Sequence, residues 1–154
     1  MDPEHIAKIA EKVLDGKPNI IGLADSVGVA VPNQIKNTFS LLKELAPDIP
    51  LRTHLHNTRN TGLANAAAAI DAGVTIVDAS TGGIGGCPFA PKATGNIPTD
   101  DLLYMLNRSG IETGVDLGKI VNNSEWLESQ LGRAVPAMVP KAGIFPENAE
   151  INTQ

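Results

Sequence analysis

The chain has 154 residues, 42% hydrophobic and 19% charged, which is typical of one globular domain with a core of its own. Only 3% of the residues are aromatic and the formal net charge is -5, so we expect no nucleic-acid partner. No apolar run approaches the roughly 20 residues of a membrane span, so we expect no membrane partner either. A single cysteine fits a reducing compartment, which predicts a cytoplasmic protein, or an organelle-matrix protein if a targeting segment is missing.

Apolar residues recur at helical and then at strand spacing along the chain. Helices are predicted over 3–16, 32–45, 60–72, 99–106 and 116–133, the first of them capped by Asp2. Short apolar strands are predicted over 19–24, 51–56 and 74–79. This alternation predicts an α/β fold in which a parallel sheet is covered by helices. We assign residues 1–134 to this domain and residues 135–154 to a proline-rich C-terminal tail.

Three strands alone make a poor sheet, because both of its edges stay exposed. A (β/α)8 barrel needs eight strands and typically about 250 residues. The chain therefore fits either a small open α/β layer or the last part of a barrel. It begins on a helix without a preceding strand, which favours the C-terminal part of a barrel.

Two histidines stand at the carboxyl end of the second predicted strand. His54 and His56 are two residues apart, so their side chains point to the same face of the strand. In parallel α/β folds the carboxyl ends of the strands carry the active site. The pair suits two ligands of one divalent metal, and it is equally consistent with two inert, hydrogen-bonded polar residues.

The other two strands end in carboxylates, Asp25 and Asp78. Each suits a base, a hydrogen-bond acceptor or the outer-shell partner of a metal-bound histidine. Capping of a turn explains each of them without any function. Because the three strand ends converge on one rim, their ionisable side chains together favour a functional site.

A glycine-rich segment over 80–96 carries the single cysteine, Cys87, behind four glycines. It matches neither phosphate-binding glycine motif, so a nucleotide cradle is not predicted. A lone cysteine is often a small buried apolar residue, but the glycines and Pro88 favour a fixed and exposed thiol. Asn96 offers a neutral oxygen that suits either a metal site or a turn cap.

Three segments resemble the hydroxymethylglutaryl-CoA lyase family in the same order. They are His-Leu-His-Asn-Thr-Arg over 54–59, Gly-Gly-Cys-Pro-Phe-Ala over 85–90 and Ala-Thr-Gly-Asn over 93–96. The resemblance covers essentially the whole chain. It implies the last three strands and C-terminal helices of a TIM barrel of the metallolyase group, which includes isopropylmalate and homocitrate synthases.

The resemblance implies roles for individual residues. His54, His56 and Asn96 match the ligands of Mg²⁺ or Mn²⁺, Cys87 matches a catalytic cysteine on a mobile loop, and Asp25 matches an active-site aspartate. The implied reaction cleaves a 3-hydroxy-3-methylglutaryl-CoA-like acyl-CoA into acetyl-CoA and a ketoacid, acetoacetate for the namesake substrate. His54 or Asp25 would take the hydroxyl proton, and Cys87 would protonate the acetyl-CoA enolate.

The chain also departs from the family pattern. Nothing matches the first-strand Arg-Asp pair, so we expect this chain to be inactive alone, with a homodimer or the N-terminal part of the barrel as its partner. Asn57 and Arg59 stand where the family usually has Asp and Tyr, which favours a related 3-hydroxyacyl-CoA as substrate. The alternatives are an aldol- or Claisen-type synthase of the same group and a non-catalytic half-barrel that needs a partner chain. A flavodoxin-like binding module is disfavoured because no phosphate loop follows a strand.

Overall fold

The computed structural model describes residues 3–86 and 94–145. The chain divides into two compact units, one formed by Met1–Asp78 with Gly86–Asn96 and the other by Ala79–Gly85 with Ile97–Gln154. Cys87 lies outside the described residues, and so does Asp2, the predicted cap of the first helix; Pro3, its predicted first residue, begins that helix as expected. Within the described ranges, no helix has the length and apolar character needed to cross a membrane.

The first unit is a three-stranded parallel sheet with helices in the connections. Its elements are α1 (Pro3–Leu14), β1 (Ile21–Asp25), α2 (Pro32–Leu45), β2 (Leu51–Leu55), α3 (Gly62–Asp71) and β3 (Ile76–Asp78). The strand order is β1-β2-β3, with Ile21 opposite Leu51 and Arg52 opposite Ile76. The predicted α/β class with three parallel strands and flanking helices is therefore confirmed.

Strand alternation divides the sheet into two different faces. One face of β2 presents Leu51, Thr53 and Leu55, all fully buried. Both α2 and α3 pack against β2, and α2 also packs against α1 and α3. The core of this unit consists of apolar side chains from the helices and strands, namely Ile6, Ala10, Ile21, Ile35, Phe39, Leu42, Leu51, Leu55, Ala66, Ala69 and Val74. The other face of the sheet is the one that carries the histidines.

Helix and strand ends differ from the prediction where the local backbone requires it. The prediction started the third helix at residue 60, but Asn60 has a φ of 56°, which no helical residue adopts. The helix instead starts at Gly62, whose N–H donates to Asn57 Oδ1 at 3.0 Å. The second strand was predicted to include His56, which instead forms an isolated antiparallel bridge with Asn96.

The second unit is helical in its described part. It contains a single 3₁₀ turn at Thr81–Gly83, followed by α4 (Thr99–Arg108), α5 (Leu117–Leu131) and α6 (Val139–Ala142). Asp116 caps α5 by accepting the N–H of Lys119 at 3.0 Å, and Gly132 ends it in the left-handed conformation. The predicted helical tail is thus present, and α6 was not predicted.

Residues after 134 pack within this second unit. Val135 and Ala137 are fully buried, and Val139 belongs to an apolar cluster with Leu103 and Leu117. Carboxylates on the longer helices accept backbone N–H groups of this segment. Glu128 bonds Val135, and Asp101 bonds Met138 and Val139. The domain boundary after residue 134 stays a prediction.

Asp100 joins three elements of the second unit from a fully buried position. Its Oδ2 accepts the N–H of Gly82 at 2.7 Å, and its Oδ1 accepts the hydroxyl of Ser124 at 2.5 Å. The sequence explained this residue by the helix dipole alone, since Asp100 lies in the first turn of α4. The structure adds two buried hydrogen bonds that connect the 3₁₀ turn, α4 and α5.

We predict that Asp100→Ala lowers the free energy of unfolding by about 3 kcal/mol, because it leaves two buried donors without their acceptor. Urea denaturation followed by circular dichroism measures this change. Asp48→Ala is the matched control, since Asp48 is exposed in the turn between α2 and β2, and it should change stability by less than about 0.5 kcal/mol. Equal effects of the two substitutions would contradict the prediction.

Candidate active site

The histidine-bearing face of the sheet is polar and accessible. Gly22, Ala24 and Arg52 are exposed on it, and His54 and Asp78 lie beside them on adjacent strands. The register places His54 between Ala24 and Asp78. A depression of about 310 Å³ lies over this face, and it is lined by Ile20, Gly22, Leu23, Ala24, Arg52, His54 and Asp78.

His54 and His56 lie together at the carboxyl end of β2, as predicted from their spacing. Their ring centroids are 5.2 Å apart and the rings stand at 63° to each other. The side chain of His54 is 38% exposed, whereas His56 is only 3% exposed. The pair therefore consists of one accessible and one buried imidazole.

The surroundings of His56 favour the neutral form of its imidazole. Burial lowers its pKa below the ordinary value, and the neighbouring His54 lowers it further, while the charge of Asp25 opposes them. Its buried Nδ1 has no hydrogen-bond partner among the residues that the structure describes. Since an unpaired buried polar atom is costly, this nitrogen is the kind of group that a ligand satisfies.

Asn96 meets His56 directly through the isolated antiparallel bridge between the two backbones. The segment before it is anchored to the residues after β2, because Asn57 N–H donates to Gly95 O at 3.0 Å and Thr94 N–H donates to Thr58 Oγ1 at 3.3 Å. These bonds bring the predicted third ligand beside the histidines. The three predicted metal ligands thus lie in one unit and adjoin one another.

Asp78 is engaged on both sides across the sheet. Its two carboxylate oxygens accept Arg52 Nε at 2.9 and 3.0 Å, and Arg52 Nη2 lies 2.8 Å from Oδ2. Hydrogen bonding to Asp78, followed by its charge, raises the pKa of Arg52. On the other side, His54 Nδ1 is 3.5 Å from Asp78 Oδ2.

Asp25 holds the loop that follows β1. It is buried, and its Oδ1 and Oδ2 accept the backbone N–H groups of Val29 at 3.1 Å and Ala30 at 2.9 Å. This is the turn-capping arrangement that the sequence left open as the alternative to a catalytic role. Its charge opposes the lowering of the His56 pKa.

A second anchor of the same loop was not predicted. Arg59 Nη1 donates to the carbonyl oxygens of Val27 at 3.2 Å and Gly28 at 3.0 Å. Gly28 has a φ of 64°, and a Cβ there would stand 2.8 Å from Thr58 Oγ1, so only glycine fits. The Thr-Arg pair after His56 was a sequence signal for this contact, but its partner could not be read from the sequence.

The donor set fits a divalent cation. Two neighbouring imidazoles, one with an unpaired buried nitrogen, and an adjacent amide oxygen are the mixture of nitrogen and oxygen ligands found at such sites. A group of three His, Cys, Asp or Glu side chains able to hold a metal does not occur within residues 3–86 and 94–145. The third donor proposed here is Asn96, and asparagine is not one of those four residue types. Cys87 lies outside the described residues, so its position relative to this site is not defined.

Comparison with known proteins places this chain in a family. A family model described as HMGL-like matches residues 1–127. The (R)-citramalyl-CoA lyase of Chloroflexus aurantiacus is 47% identical over 148 residues, covering 96% of this chain and 47% of that protein. The mitochondrial hydroxymethylglutaryl-CoA lyase of Mus musculus is 37% identical over 142 residues, covering 92% of this chain and 44% of that protein. The chain thus spans about half the length of the curated relatives it matches.

Solved structures agree with the sequence relatives. An HMG-CoA lyase from Acinetobacter baumannii, determined in complex with coenzyme A and 3-methylmalate, has a TM-score of 0.89 and 39% sequence identity. The match covers 96% of this chain and 48% of that one. The three strands and their helices therefore correspond to part of a TIM barrel, as the resemblance implied. By its sequence and its fold, this chain belongs to the HMGL-like family.

Proposed function

We propose that this chain supplies the C-terminal part of a metal-dependent lyase that cleaves a carbon–carbon bond of a 3-hydroxyacyl-CoA. The observation that carries the proposal is the buried, unpaired Nδ1 of His56 beside His54 and Asn96. Such a site needs a ligand that accepts nitrogen and oxygen donors together. The family of acyl-CoA lyases provides the reaction in which that ligand would act.

His54, His56 and Asn96 would hold the cation, and Mg²⁺ or Mn²⁺ suits a site that mixes imidazole with oxygen donors. When bound, the cation supplies Lewis-acid polarisation of the hydroxyl and carbonyl oxygens of the substrate. The neutral state of His56 favours this role, because only an unprotonated imidazole nitrogen has a lone pair to donate.

The hydroxyl proton must leave before the carbon–carbon bond breaks, and the sequence offered His54 or Asp25 as its acceptor. His54 would be engaged as one of the residues that hold the cation. Each oxygen of Asp25 accepts one backbone N–H and keeps a second lone pair. We therefore assign this proton to Asp25.

The methylene carbon released by cleavage must then receive a proton to give acetyl-CoA. Cys87 is the proposed donor, on the basis of the Gly-Gly-Cys-Pro motif that resembles the family's catalytic loop. Glycines on either side of such a loop allow it to close over the substrate and exclude water.

Citramalyl-CoA is the acyl group we propose, since the Chloroflexus lyase for that substrate shares 47% identity against 37% for the mouse hydroxymethylglutaryl-CoA lyase. Both substrates carry a tertiary hydroxyl, and they differ by one methylene in the carboxylate arm. The same bond cleavage gives acetyl-CoA with pyruvate from citramalyl-CoA and with acetoacetate from hydroxymethylglutaryl-CoA. A Claisen-type synthase is the second candidate function, and it is less favoured than a lyase because the curated relatives are lyases.

The metal site is tested by calorimetric titration of the chain with Mn²⁺. We predict that His54→Ala and His56→Ala each weaken binding roughly 100-fold or more, because loss of an outer-shell partner alone commonly costs 10–100-fold. His5→Ala is the matched control, since His5 is exposed on α1, and it should bind as the original chain does. Unchanged binding in both site variants would exclude this metal centre.

The acyl specificity is tested with the polypeptide in which these residues are joined to the strands that complete the barrel. We predict a higher kcat/KM for citramalyl-CoA than for hydroxymethylglutaryl-CoA, by roughly 10-fold or more, since one methylene in a pocket is worth about 10–200-fold. A coupled assay of the acetyl-CoA formed measures kcat/KM for both substrates. The chain of 154 residues alone should show no turnover, and metal-dependent turnover by it would overturn that expectation.

Asp25→Asn tests the proton acceptor in the same complete enzyme. The amide keeps one acceptor for the loop, so we expect the free energy of unfolding to fall by only about 1 kcal/mol. Loss of the base should lower kcat by about 10²–10⁴-fold. Steady-state kinetics and thermal denaturation measure the two effects, and a kcat within 10-fold of the original would assign Asp25 to the loop alone.

A further inference from the structure

Asp78 stands between Arg52 and His54 on the accessible face of the sheet, and neither the metal site nor the proton steps use it. The three side chains come from adjacent strands, with Arg52 opposite Ile76 and His54 opposite Asp78. Asp78 is about three-quarters buried, with 26% of its side chain exposed. A partly buried carboxylate held between a guanidinium and an imidazole is an arrangement with a chemical consequence for the imidazole.

The consequence follows from the two nitrogens of a neutral imidazole. One of them carries a proton and donates, while the other has the lone pair and accepts, and the hydrogen bond of one nitrogen decides which is which. An ionised carboxylate can only accept. Because His54 Nδ1 faces Asp78 Oδ2 at 3.5 Å, the proton belongs on Nδ1 and the lone pair on Nε2.

Arg52 fixes the carboxylate that makes this choice. Its Nε reaches both oxygens at 2.9 and 3.0 Å, and its Nη2 reaches Oδ2 at 2.8 Å. Several donors from one planar group restrict rotation of the carboxylate, which a single point charge such as an ammonium does not. Arg52 therefore acts on His54 through Asp78. The 3.5 Å contact between His54 Nδ1 and Asp78 Oδ2 is long for a hydrogen bond, and the charge of the carboxylate acts on the imidazole across it.

We infer that Asp78, locked by Arg52, is a positioning residue that sets the tautomer of His54 and so presents its Nε2 lone pair to the site. The use of that lone pair for a cation rests on the proposed function, whereas the tautomer itself does not. His56 has no carboxylate against its Nδ1 in the described part of the chain, so the two histidines are prepared differently. Within the described residues, only His54 has a carboxylate facing its Nδ1.

Two-dimensional ¹H–¹⁵N NMR of the metal-free chain reads the tautomer directly from the two ring nitrogen shifts. At about pH 8, where an ordinary imidazole is neutral, we expect His54 to be mainly the Nδ1–H form. Asp78→Ala should shift it towards the Nε2–H form, and Arg52→Lys should give an intermediate mixture. Asp48→Ala removes a carboxylate from an exposed turn and should leave the His54 signals unchanged.

Calorimetric titration with Mn²⁺ of the same variants measures the effect on the cation. Asp78→Ala should weaken binding by about 10–100-fold, the usual cost of removing the partner of a metal-binding histidine, and Arg52→Lys by less. If the Asp78→Ala chain does not fold, Arg52→Lys and Arg52→Ala still test the inference, because Arg52 is exposed.

The outcomes separate the positioning role from the proposed metal site. An Nδ1–H tautomer that depends on Asp78, together with absence of Mn²⁺ binding in the original chain, would leave the positioning role intact and remove the metal site. A His54 tautomer that is the same in the original chain, Asp78→Ala and Arg52→Ala would overturn the inference, whatever the affinity for Mn²⁺.

Discussion

The parallel register of β1, β2 and β3 is the constraint from which the site follows. Because successive side chains alternate between faces, one register places Leu51, Thr53 and Leu55 against the helices and Arg52 and His54 on the opposite face. A slip of one residue would bury the charges and expose the leucines. The burial of the apolar face therefore fixes the register, and the register places Asp78 opposite His54.

Loops complete what the strands begin, and they do so with backbone groups. Asp25 and Arg59 both hold the loop after β1, one by accepting N–H groups and the other by donating to carbonyl oxygens. Thr58 holds a different segment, since its hydroxyl accepts the N–H of Thr94. Two loops are thus joined to the residues that follow β2. The bonds to Thr94 and Gly95 hold Asn96 beside His56, where the two backbones form a bridge.

Periodicity predicted the three strands and the pairing of His54 with His56 on one face, because both depend only on local spacing. The Arg52–Asp78 pair depends on how two strands align, and residues 26 apart carry no local signal of that alignment. Asp100 shows the same limit. Its place in the first turn of α4 fully accounted for a carboxylate there, and its burial against Gly82 and Ser124 became visible only when the elements were packed. Asn60 was placed in a helix by its apolar neighbours; asparagine adopts a positive φ more readily than most residues, but the turn that requires it here is not visible in local spacing.

Asn57 and Arg59, which differ from the usual family pattern, both make hydrogen bonds in the structure. Asn57 Oδ1 accepts the N–H of Gly62, a bond that an aspartate would make equally well, whereas Asn57 Nδ2 donates to Asn60 Oδ1 at 3.5 Å, which an ionised aspartate cannot do. Arg59 is different, because a tyrosine hydroxyl has a single proton and cannot donate to Val27 and Gly28 as the guanidinium does. The substitution at 59 therefore changes the anchoring of the loop after β1. The same loop is held by Asp25, so residue 59 and the proposed proton acceptor both bond to the loop after β1.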